Sequence, residues 1–209
     1  LGHLEPVLRW NRYAAIRDTR AELLTTEPQS YALIDKILDF YAGVYRSRRI
    51  HLGMDETHGL GRGRYMDLNG YRRPFDIYID HLKRVVEACG RRGLESLIWS
   101  DMFFRMGSRT MDYYDPQAVT PPEIIAQIPP QVRLTYWDYY HTDVAFYRDW
   151  IRRHRALGQT PVMASGIWTW LTFWYNHART AETIRPCIEA CSEAGVEEIF
   201  FTMWADDGG

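Results

Sequence analysis

The sequence predicts an α/β fold with a parallel sheet, arranged as part of a (β/α)8 barrel. Short apolar, β-rich runs alternate with amphipathic helical stretches, a pattern typical of parallel sheets whose strands are buried on both faces. Aromatic or carboxylate residues follow each run, and functional side chains at the carboxyl ends of successive parallel strands are characteristic of the barrel. No glycine-rich phosphate loop follows a strand, which argues against an open doubly wound sheet.

Strands and helices are predicted from residue type and from the spacing of apolar residues. The strand runs are bounded by Gly, Pro or charged residues, and they cover residues 50–54, 96–99, 132–137, 161–168 and 198–204. The helical stretches place apolar residues at three- and four-residue spacing. They cover residues 29–46, 74–90, 121–128, 143–157 and 180–194, and glycines at 93, 158 and 195 indicate helix ends.

The composition excludes several classes of function. The 209 residues include 25 basic and 27 acidic side chains, a net charge of −2, which gives no electrostatic reason to expect nucleic acid or an anionic membrane as a partner. No apolar run approaches the ~20 residues of a membrane span. Three cysteines are too few for a disulfide scaffold or a four-cysteine zinc site. Reduced cysteines and the lack of a signal-peptide pattern favour a cytoplasmic location.

Asp55 and Glu56 are the strongest candidates for catalysis. They end the hexapeptide 51–56 (HLGMDE), directly after the first predicted strand. We expect the two side chains to point in different directions, so that one carboxylate stays ionised while the other is held protonated beside apolar rings. General acid cleavage of a glycosidic bond requires this division of roles. An acidic pair on a solvated loop is the plain alternative, but the position after a buried strand favours catalysis.

Tryptophans at the predicted strand ends are interleaved with acidic residues. The tryptophans are Trp99, Trp137, Trp168, Trp170 and Trp204, and the acids are Asp101, Asp138 and Asp206. Pyranose rings present apolar C–H faces that stack on aromatic rings, and their hydroxyls bind carboxylates. The pattern therefore predicts a sugar-binding pocket, although a large aromatic residue at a strand end can also simply fill the top of a barrel.

Two further motifs give weaker signals. His51, Asp55 and His58 could ligate a metal, but the chain lacks a His-x-His pair on a first strand and a later strand that ends in His, so we expect no metal or other cofactor. The run 59–64 (GLGRGR) is basic and rich in glycine, yet it follows an acid pair and no helix start is evident, so a phosphate cradle is not expected. A mobile or tightly turned loop over the pocket is the simpler interpretation.

Several of these motifs resemble glycoside hydrolase family 20, the β-N-acetylhexosaminidases. The hexapeptide 51–56 is similar to the family's His-x-Gly-x-Asp-Glu signature, and the longer string 53–65 resembles the bacterial exo-acting branch. Segments 99–105, 136–140 and 203–208 resemble that branch as well, so the resemblance covers essentially the whole chain. It implies a (β/α)8 barrel that releases terminal β-linked GlcNAc or GalNAc from oligosaccharides or glycoconjugates.

The resemblance also implies a mechanism, which is retaining hydrolysis assisted by the substrate and passing through an oxazolinium intermediate. Asp55 would orient and polarise the acetamido nitrogen. Glu56 would protonate the leaving oxygen and then activate water. Gly2-His3 resembles the Gly-His that follows the family's third strand, so His3 would support the acid/base.

The same resemblance assigns substrate contacts. Trp204 would wall the acetamido pocket, and Asp206 would bind sugar hydroxyls where the family usually has Glu. Trp99 and Trp137 match tryptophans that line this pocket. A tyrosine hydrogen bond to the acetamido carbonyl is also implied, and Tyr136, Tyr139 or Tyr140 could supply it. The remaining residues that we expect to bind substrate are Asp101, Asp138, Trp168, Trp170 and His58.

Two alternative functions stay open from the sequence. A retaining glycosidase could use a protein nucleophile, Asp101 or Asp206, with Glu56 as the acid. A catalytically inactive sugar-binding barrel is the other hypothesis, although a lectin does not need a protonated acid.

The length predicts an incomplete barrel. The strand-end markers recur at intervals of roughly 40 residues, whereas a complete barrel typically needs ~250 residues or more. Residues 1–209 are therefore expected to form a single catalytic domain that holds strands four to eight and the loop after strand three. Strands one to three, with the family's first-strand Arg, would precede residue 1. We expect the isolated 209-residue polypeptide to aggregate or to stay inactive.

Overall fold

The computed structural model describes residues 1–204, which divide into two compact units. The first unit comprises Leu1–Arg133, and the second begins at Leu134. In chain order the helices are α1 (Glu5–Leu8), α2 (Pro28–Val44), α3 (Arg64–Asn69), α4 (Pro74–Gly90), α5 (Asp101–Arg105), α6 (Pro122–Ile125), α7 (Val144–Ala156) and α8 (His177–Ala194). A 3₁₀ helix spans Asn11–Ile16. The strands are β1 (Arg49–His51), β2 (Glu95–Trp99), β3 (Val132–Trp137), β4 (Val162–Gly166) and β5 (Ile199–Thr202).

In the first unit, β1 pairs with β2 in parallel, and Ile50 lies opposite Ser96. The pairing continues beyond the end of β1, because the Leu52 N–H donates to the Leu97 carbonyl at 2.8 Å and the Trp99 N–H donates to the Gly53 carbonyl at 3.0 Å. Helices α2 and α4 supply much of the apolar core. Its buried residues include Leu38, Ala88, Cys89 and Leu94, with Ile50 and Leu52 packed against them. This packing holds the chain that leaves β1.

In the second unit, residues 135–137 of β3 pair with β4, and β4 pairs with β5, in both cases in parallel. Every residue of β4 is buried, as expected of a strand covered on both faces. Helix α7 starts where Asp143 accepts a hydrogen bond from the Ala145 N–H at 2.9 Å. Helix α8 ends at Gly195, whose φ of 63° places it in the left-handed conformation of a glycine C-cap.

The predicted strands and long helices are confirmed, with shifts at their ends. The helix expected over 121–128 is only α6, and the two prolines at 129 and 130 explain part of this difference because residues before proline avoid helical backbone. The other short helices were not predicted, and α3 begins at Arg64, the last residue of the glycine-rich run, where no helix start was expected. Residues 1–204 contain five strands, so they form part of a (β/α)-type fold. None of the helices in this range is long and apolar enough to cross a membrane.

Candidate functional site

The acid pair lies in a segment of unusual backbone conformation at the end of β1. Gly53 has a φ of 68°, Met54 of 73° and Glu56 of 47°. Left-handed backbone costs an L-residue other than glycine roughly 1–2 kcal/mol, and such strain is concentrated at functional sites. The core holds this segment, because the Tyr78 hydroxyl donates a hydrogen bond to the Met54 carbonyl at 3.1 Å and the Met54 side chain is buried. The surrounding core therefore imposes a conformation that the acid pair would not adopt alone.

Both carboxylates converge on one imidazole. The His3 Nε2 lies 3.2 Å from Asp55 Oδ2 and 3.3 Å from Glu56 Oε2. Sequence reasoning expected the two acids to diverge, and this was wrong. The reason is the left-handed backbone at Met54 and Glu56, which replaces the alternation of an extended strand. The carboxylates still differ in environment, since the Asp55 side chain is 21% exposed and that of Glu56 is 38% exposed.

Gly2 allows the His3 segment to approach the acid pair. A Cβ at position 2 would lie 2.9 Å from the Asp55 carbonyl oxygen and 3.1 Å from the Thr57 methyl carbon. A side chain there would clash with backbone, so glycine is needed at this close approach. His3 also has a positive φ, of 55°. The Gly-His pair that the sequence singled out is thus placed against Asp55 and Glu56.

Asp101 contacts the acid pair through the backbone. It is buried at the start of α5, and its Oδ2 accepts a hydrogen bond from the Glu56 N–H at 3.2 Å. Two residues before Asp101, the Trp99 ring is buried, and its centroid lies 4.2 Å from that of the His51 ring. The carboxylate of Asp101 therefore helps to fix the backbone of Glu56, a role that the sequence did not indicate.

The two histidines that flank the acid pair differ in their contacts. His51 Nδ1 accepts a hydrogen bond from the Gly53 N–H at 3.1 Å, and burial lowers the pKa of His51 to about 4, so its ring is neutral near pH 7. His58 is exposed and hydrogen-bonds to the Tyr113 hydroxyl. Its pKa is also lowered, first by desolvation and next by the charge of Arg105.

Tyr78 and Tyr113 are parts of this site that sequence reasoning missed. Burial raises the pKa of both hydroxyls, and the nearby carboxylates raise it further, so both stay protonated as donors. Neither tyrosine follows a predicted strand. Tyr78 belongs to the buried face of α4, and Tyr113 lies in the loop after α5, so no local pattern marks them.

The imidazole of His3 and the two carboxylates beside it could also bind a cation. Ligand atoms of His3, Asp55 and Glu56 all lie within 4.8 Å of one another. The sequence-based metal hypothesis combined Asp55 with His51 and His58 instead. Within residues 1–204, neither of those histidines joins this group. A single imidazole between two carboxylates is equally suited to proton transfer.

The glycine-rich run after the acid pair is a tightly turned loop. Asp18 accepts hydrogen bonds from the Gly61 N–H at 3.3 Å and the Tyr65 N–H at 2.7 Å. Glu22 accepts one from the Gly59 N–H at 2.9 Å. Burial raises the pKa of Asp18, although these N–H donors oppose the effect. Carboxylates of the same unit therefore accept hydrogen bonds from these N–H groups, which supports the prediction of a tightly turned loop.

In the second unit, aromatic rings pack together beyond the ends of β3 and β4. Trp168 stacks on Trp170 with ring centroids 4.5 Å apart, and Trp137 stacks on Tyr139 at 5.4 Å. Trp168, Trp170 and Tyr139 are buried, whereas Trp137 is half-buried. Gly166 makes room for them, since a Cβ there would lie 2.6 Å from the Trp170 ring. The predicted aromatic cluster is present, and Trp137 is its most accessible ring.

Asp138 has hydrogen-bond partners on both carboxylate oxygens. It is fully buried, and its Oδ2 accepts from the Tyr136 hydroxyl at 2.9 Å and contacts His141 Nδ1 at 2.8 Å. Its Oδ1 accepts from the N–H groups of Tyr140 and His141. Both oxygens are therefore used within the protein, which does not favour the predicted contact with a sugar hydroxyl. The hydrogen bond also occupies Tyr136, while the Tyr140 side chain is exposed.

The last predicted pair is only partly described. Trp204 is 37% exposed, and its carbonyl accepts a hydrogen bond from the Thr169 hydroxyl at 2.8 Å. Asp206 lies outside the described residues. The role of this pair in binding an acetamido group stays a prediction.

Solved structures similar to this chain include β-N-acetylhexosaminidases. The β-N-acetylhexosaminidase from Bacteroides fragilis matches over 99% of this chain and 42% of its own, with a TM-score of 0.57 and 19% identity. The tandem family 20 catalytic modules of the pneumococcal exo-β-D-N-acetylglucosaminidase StrH match over 98% of this chain and 52% of theirs, with a TM-score of 0.54 and 15% identity. A further StrH structure covers 99% and 48%, with a TM-score of 0.51 and 13% identity.

These similarities establish the fold alone, because the identities are low. No protein-family model matches the chain, and no curated protein matches it. The chain spans about half the length, or less, of these solved structures. Residues 1–204 thus adopt part of the catalytic-domain fold seen in family 20 β-N-acetylhexosaminidases, with Asp55 and Glu56 at the end of β1.

Proposed function

We propose that this chain carries the catalytic acid pair of an exo-acting β-N-acetylhexosaminidase. The observation that carries the proposal is the convergence of Asp55 and Glu56 on His3, in a strained segment at the carboxyl end of a parallel strand. The fold shared with family 20 enzymes and the hexapeptide 51–56 support it. The substrates are oligosaccharides or glycoconjugates that end in β-linked GlcNAc or GalNAc.

In the proposed reaction, the nucleophile comes from the substrate. The acetamido oxygen attacks the anomeric carbon while the bond to the leaving oxygen breaks, and Glu56 gives its proton to that oxygen. Asp55 accepts a hydrogen bond from the acetamido N–H and stabilises the positive charge of the oxazolinium. Glu56 then takes a proton from water as the water oxygen attacks the anomeric carbon and the bond from that carbon to the acetamido oxygen breaks, which regenerates the acetamido group and releases the sugar with retained configuration.

The environments of the two acids fit these roles. Asp55 is the more enclosed carboxylate, as suits a group that stabilises charge, and Glu56 is the more exposed, as suits a group that exchanges protons with a leaving group and with water. His3 contacts both and can hold them in one arrangement during the two proton transfers. The alternative role of Asp101 as nucleophile is less well supported, because its Oδ2 already accepts the Glu56 N–H.

Sugar contacts of the second unit stay predictions. Trp137 is the half-buried ring of the aromatic cluster, and it presents a surface on which the C–H face of a pyranose could stack. We expect Trp137→Ala to raise KM more than it lowers kcat. An unchanged KM in this variant would exclude the contact.

The test is hydrolysis of 4-nitrophenyl β-N-acetylglucosaminide and its galactosamine counterpart by these residues within a complete (β/α)8 barrel, because the isolated 209-residue polypeptide is expected to stay inactive. We expect both to be cleaved, and a thiazoline mimic of the oxazolinium to inhibit strongly. Asp55→Asn and Glu56→Gln should each lower kcat/KM for unactivated glycosides by at least about a hundredfold. The matched control is Glu197→Gln, an exposed acid in the second unit, which should leave activity unchanged.

Three results would replace this proposal with another. Full activity of Asp55→Asn would refute substrate assistance. Trapping of a covalent adduct by a 2-fluoro sugar, with equal cleavage of substrates that lack the acetamido group, would indicate a protein nucleophile. Binding of GlcNAc without turnover would indicate a sugar-binding module.

A further inference from the structure

A large cavity in the first unit lies beside the acid pair. It has a volume of about 690 Å³, and Thr57 and His58, which directly follow Glu56, form part of its wall. Among the residues that the structure describes, its lining contains four arginines and no acidic residue. The arginines are Arg62, Arg72, Arg73 and Arg105.

Two of these arginines are compensated by acids outside the lining. Arg72 Nη2 lies 2.6 Å from Asp80. Arg73 forms a two-point contact with Asp76, at 2.7 and 3.1 Å, and a further ion pair with Glu123 at 2.9 Å. These pairs hold the two guanidinium groups in place but leave little net charge from them in the cavity.

The other two arginines keep their charge for the cavity. Arg62 is exposed and forms no ion pair within residues 1–204. Arg105 donates to the Met111 carbonyl, which is uncharged, and its guanidinium lies 5.1 Å from the Tyr113 ring centroid. Two arginines that form no ion pair among residues 1–204 therefore line this space, and no carboxylate of that range lines it.

The remaining wall is apolar and adaptable. Four methionines contribute to it, together with Leu60, Phe75, Val119 and two prolines. Methionine side chains are flexible and polarisable, so such a wall can accept apolar groups of different shape. The cavity thus combines a positive charge with a surface suited to an apolar body, and it favours an organic anion over an inorganic one.

We propose that this cavity binds a carboxylate-bearing group on the leaving-group side of the substrate. The placement on the leaving-group side rests on the proposed function, because it uses the role of Glu56 as the acid. Glu56 protonates the leaving oxygen, and the chain continues from Glu56 directly into the cavity wall. Arg62 and Arg105 provide the charge, and guanidinium groups match carboxylates geometrically.

The first experiment measures binding without turnover. The probes are 2-naphthoate and the matched neutral compound 2-naphthylmethanol, titrated into the protein by calorimetry at low salt. We expect the carboxylate to bind about tenfold more tightly, the size of effect that one or two charged hydrogen bonds give. This preference should fall at high salt, because part of the charge is exposed.

The variants locate the site. Arg62→Gln should reduce the preference for naphthoate, and the double change with Arg105→Gln should abolish it, whereas Arg105→Lys should largely retain it. Arg46→Gln is the matched control, since Arg46 is an exposed arginine of the same unit outside the cavity. Equal binding of the two probes, or an unchanged preference in the Arg62→Gln and double variants, would overturn the proposal.

A second experiment connects the cavity to catalysis. The substrates are 4-nitrophenyl and 3-carboxy-4-nitrophenyl β-N-acetylglucosaminides, compared as a ratio of kcat/KM within each variant. We expect Arg62→Gln to lower the ratio of carboxylated to neutral substrate several-fold, with no change in Arg46→Gln. If the complete barrel cleaves neither substrate while the naphthoate preference still depends on Arg62, the proposed function fails and the anion site stands. If both are cleaved and the ratio does not change, the placement on the leaving-group side is wrong.

Discussion

Removing the Asp101 carboxylate separates the proposed mechanism from its main rival. The Oδ2 of this buried residue accepts the Glu56 N–H at 3.2 Å, and Glu56 has a φ of 47°. We therefore expect Asp101 to position the acid/base through its backbone rather than to react with the substrate. The perturbations are Asp101→Asn, which keeps an uncharged acceptor, and Asp101→Ala, which removes it.

The magnitude follows from the strength of one hydrogen bond. A hydrogen bond to a charged group contributes about 1.5–3 kcal/mol, and a neutral one about 0.5–1.5 kcal/mol. Since about 1.4 kcal/mol corresponds to a factor of ten, full loss of the bond lowers kcat by at most about 10- to 150-fold. The Asn variant should lose roughly 5- to 10-fold, so the two variants should form a graded series.

The assay is steady-state hydrolysis of 4-nitrophenyl β-N-acetylglucosaminide, at a temperature well below the measured Tm of each variant. KM should change little, because the defect concerns the acid/base rather than sugar binding. Asp67→Asn, an exposed acid of α3, is the matched control. Equal losses of more than about 10⁴-fold in both Asp101 variants, with rescue by azide, would refute the positioning role and identify Asp101 as a nucleophile.

Three further predictions concern stability and metal dependence. Gly63→Ala should lower the free energy of unfolding, measured in urea, by about 1–3 kcal/mol, because the new Cβ would lie 2.4 Å from the Asp18 carbonyl oxygen. The control is Gly43→Ala in α2, where the Cβ meets open space, and it should raise the free energy of unfolding by up to about 1 kcal/mol. Equal effects of the two substitutions would contradict the assignment of a tight turn at Gly63. Burial lowers the pKa of His51 and of His154 to about 4, so the unfolded state binds more protons below pH 6.5 and stability should fall as the pH drops from 6.5 to 4, by about 1.4 kcal/mol per pH unit for each imidazole. A denaturation series that is flat over this range would show that these rings are protonated in the native state. Hydrolysis should be unaffected by EDTA, and loss of activity that Zn²⁺ or Mn²⁺ restores would instead assign a cation to the acid pair and its imidazole.

Residue patterns were sufficient for the order of strands and helices and for the acid pair. Period-2 and period-3.6 spacing report which residues are buried, and the five strand runs and long helices follow from that burial. Asp55 and Glu56 were found because a local hexapeptide carries the signal. Short helices such as α3 and α5 were missed, since few residues contribute to each and tertiary contacts stabilise them.

Only the tertiary structure decided how the candidate site is built. Both acids converge on His3 because the backbone at Met54 and Glu56 is left-handed. The core imposes this conformation, and the sequence does not reveal it, because neither residue is a glycine. The site also includes Tyr78, Tyr113 and the hydrogen bond from the Glu56 N–H to Asp101. These groups lie far from Glu56 along the chain, so no local sequence pattern predicts that they meet. The sequence also does not predict the arginine-lined cavity, because its arginines are scattered along the chain. Only the fold shows which of these arginines form ion pairs with acidic residues and which do not.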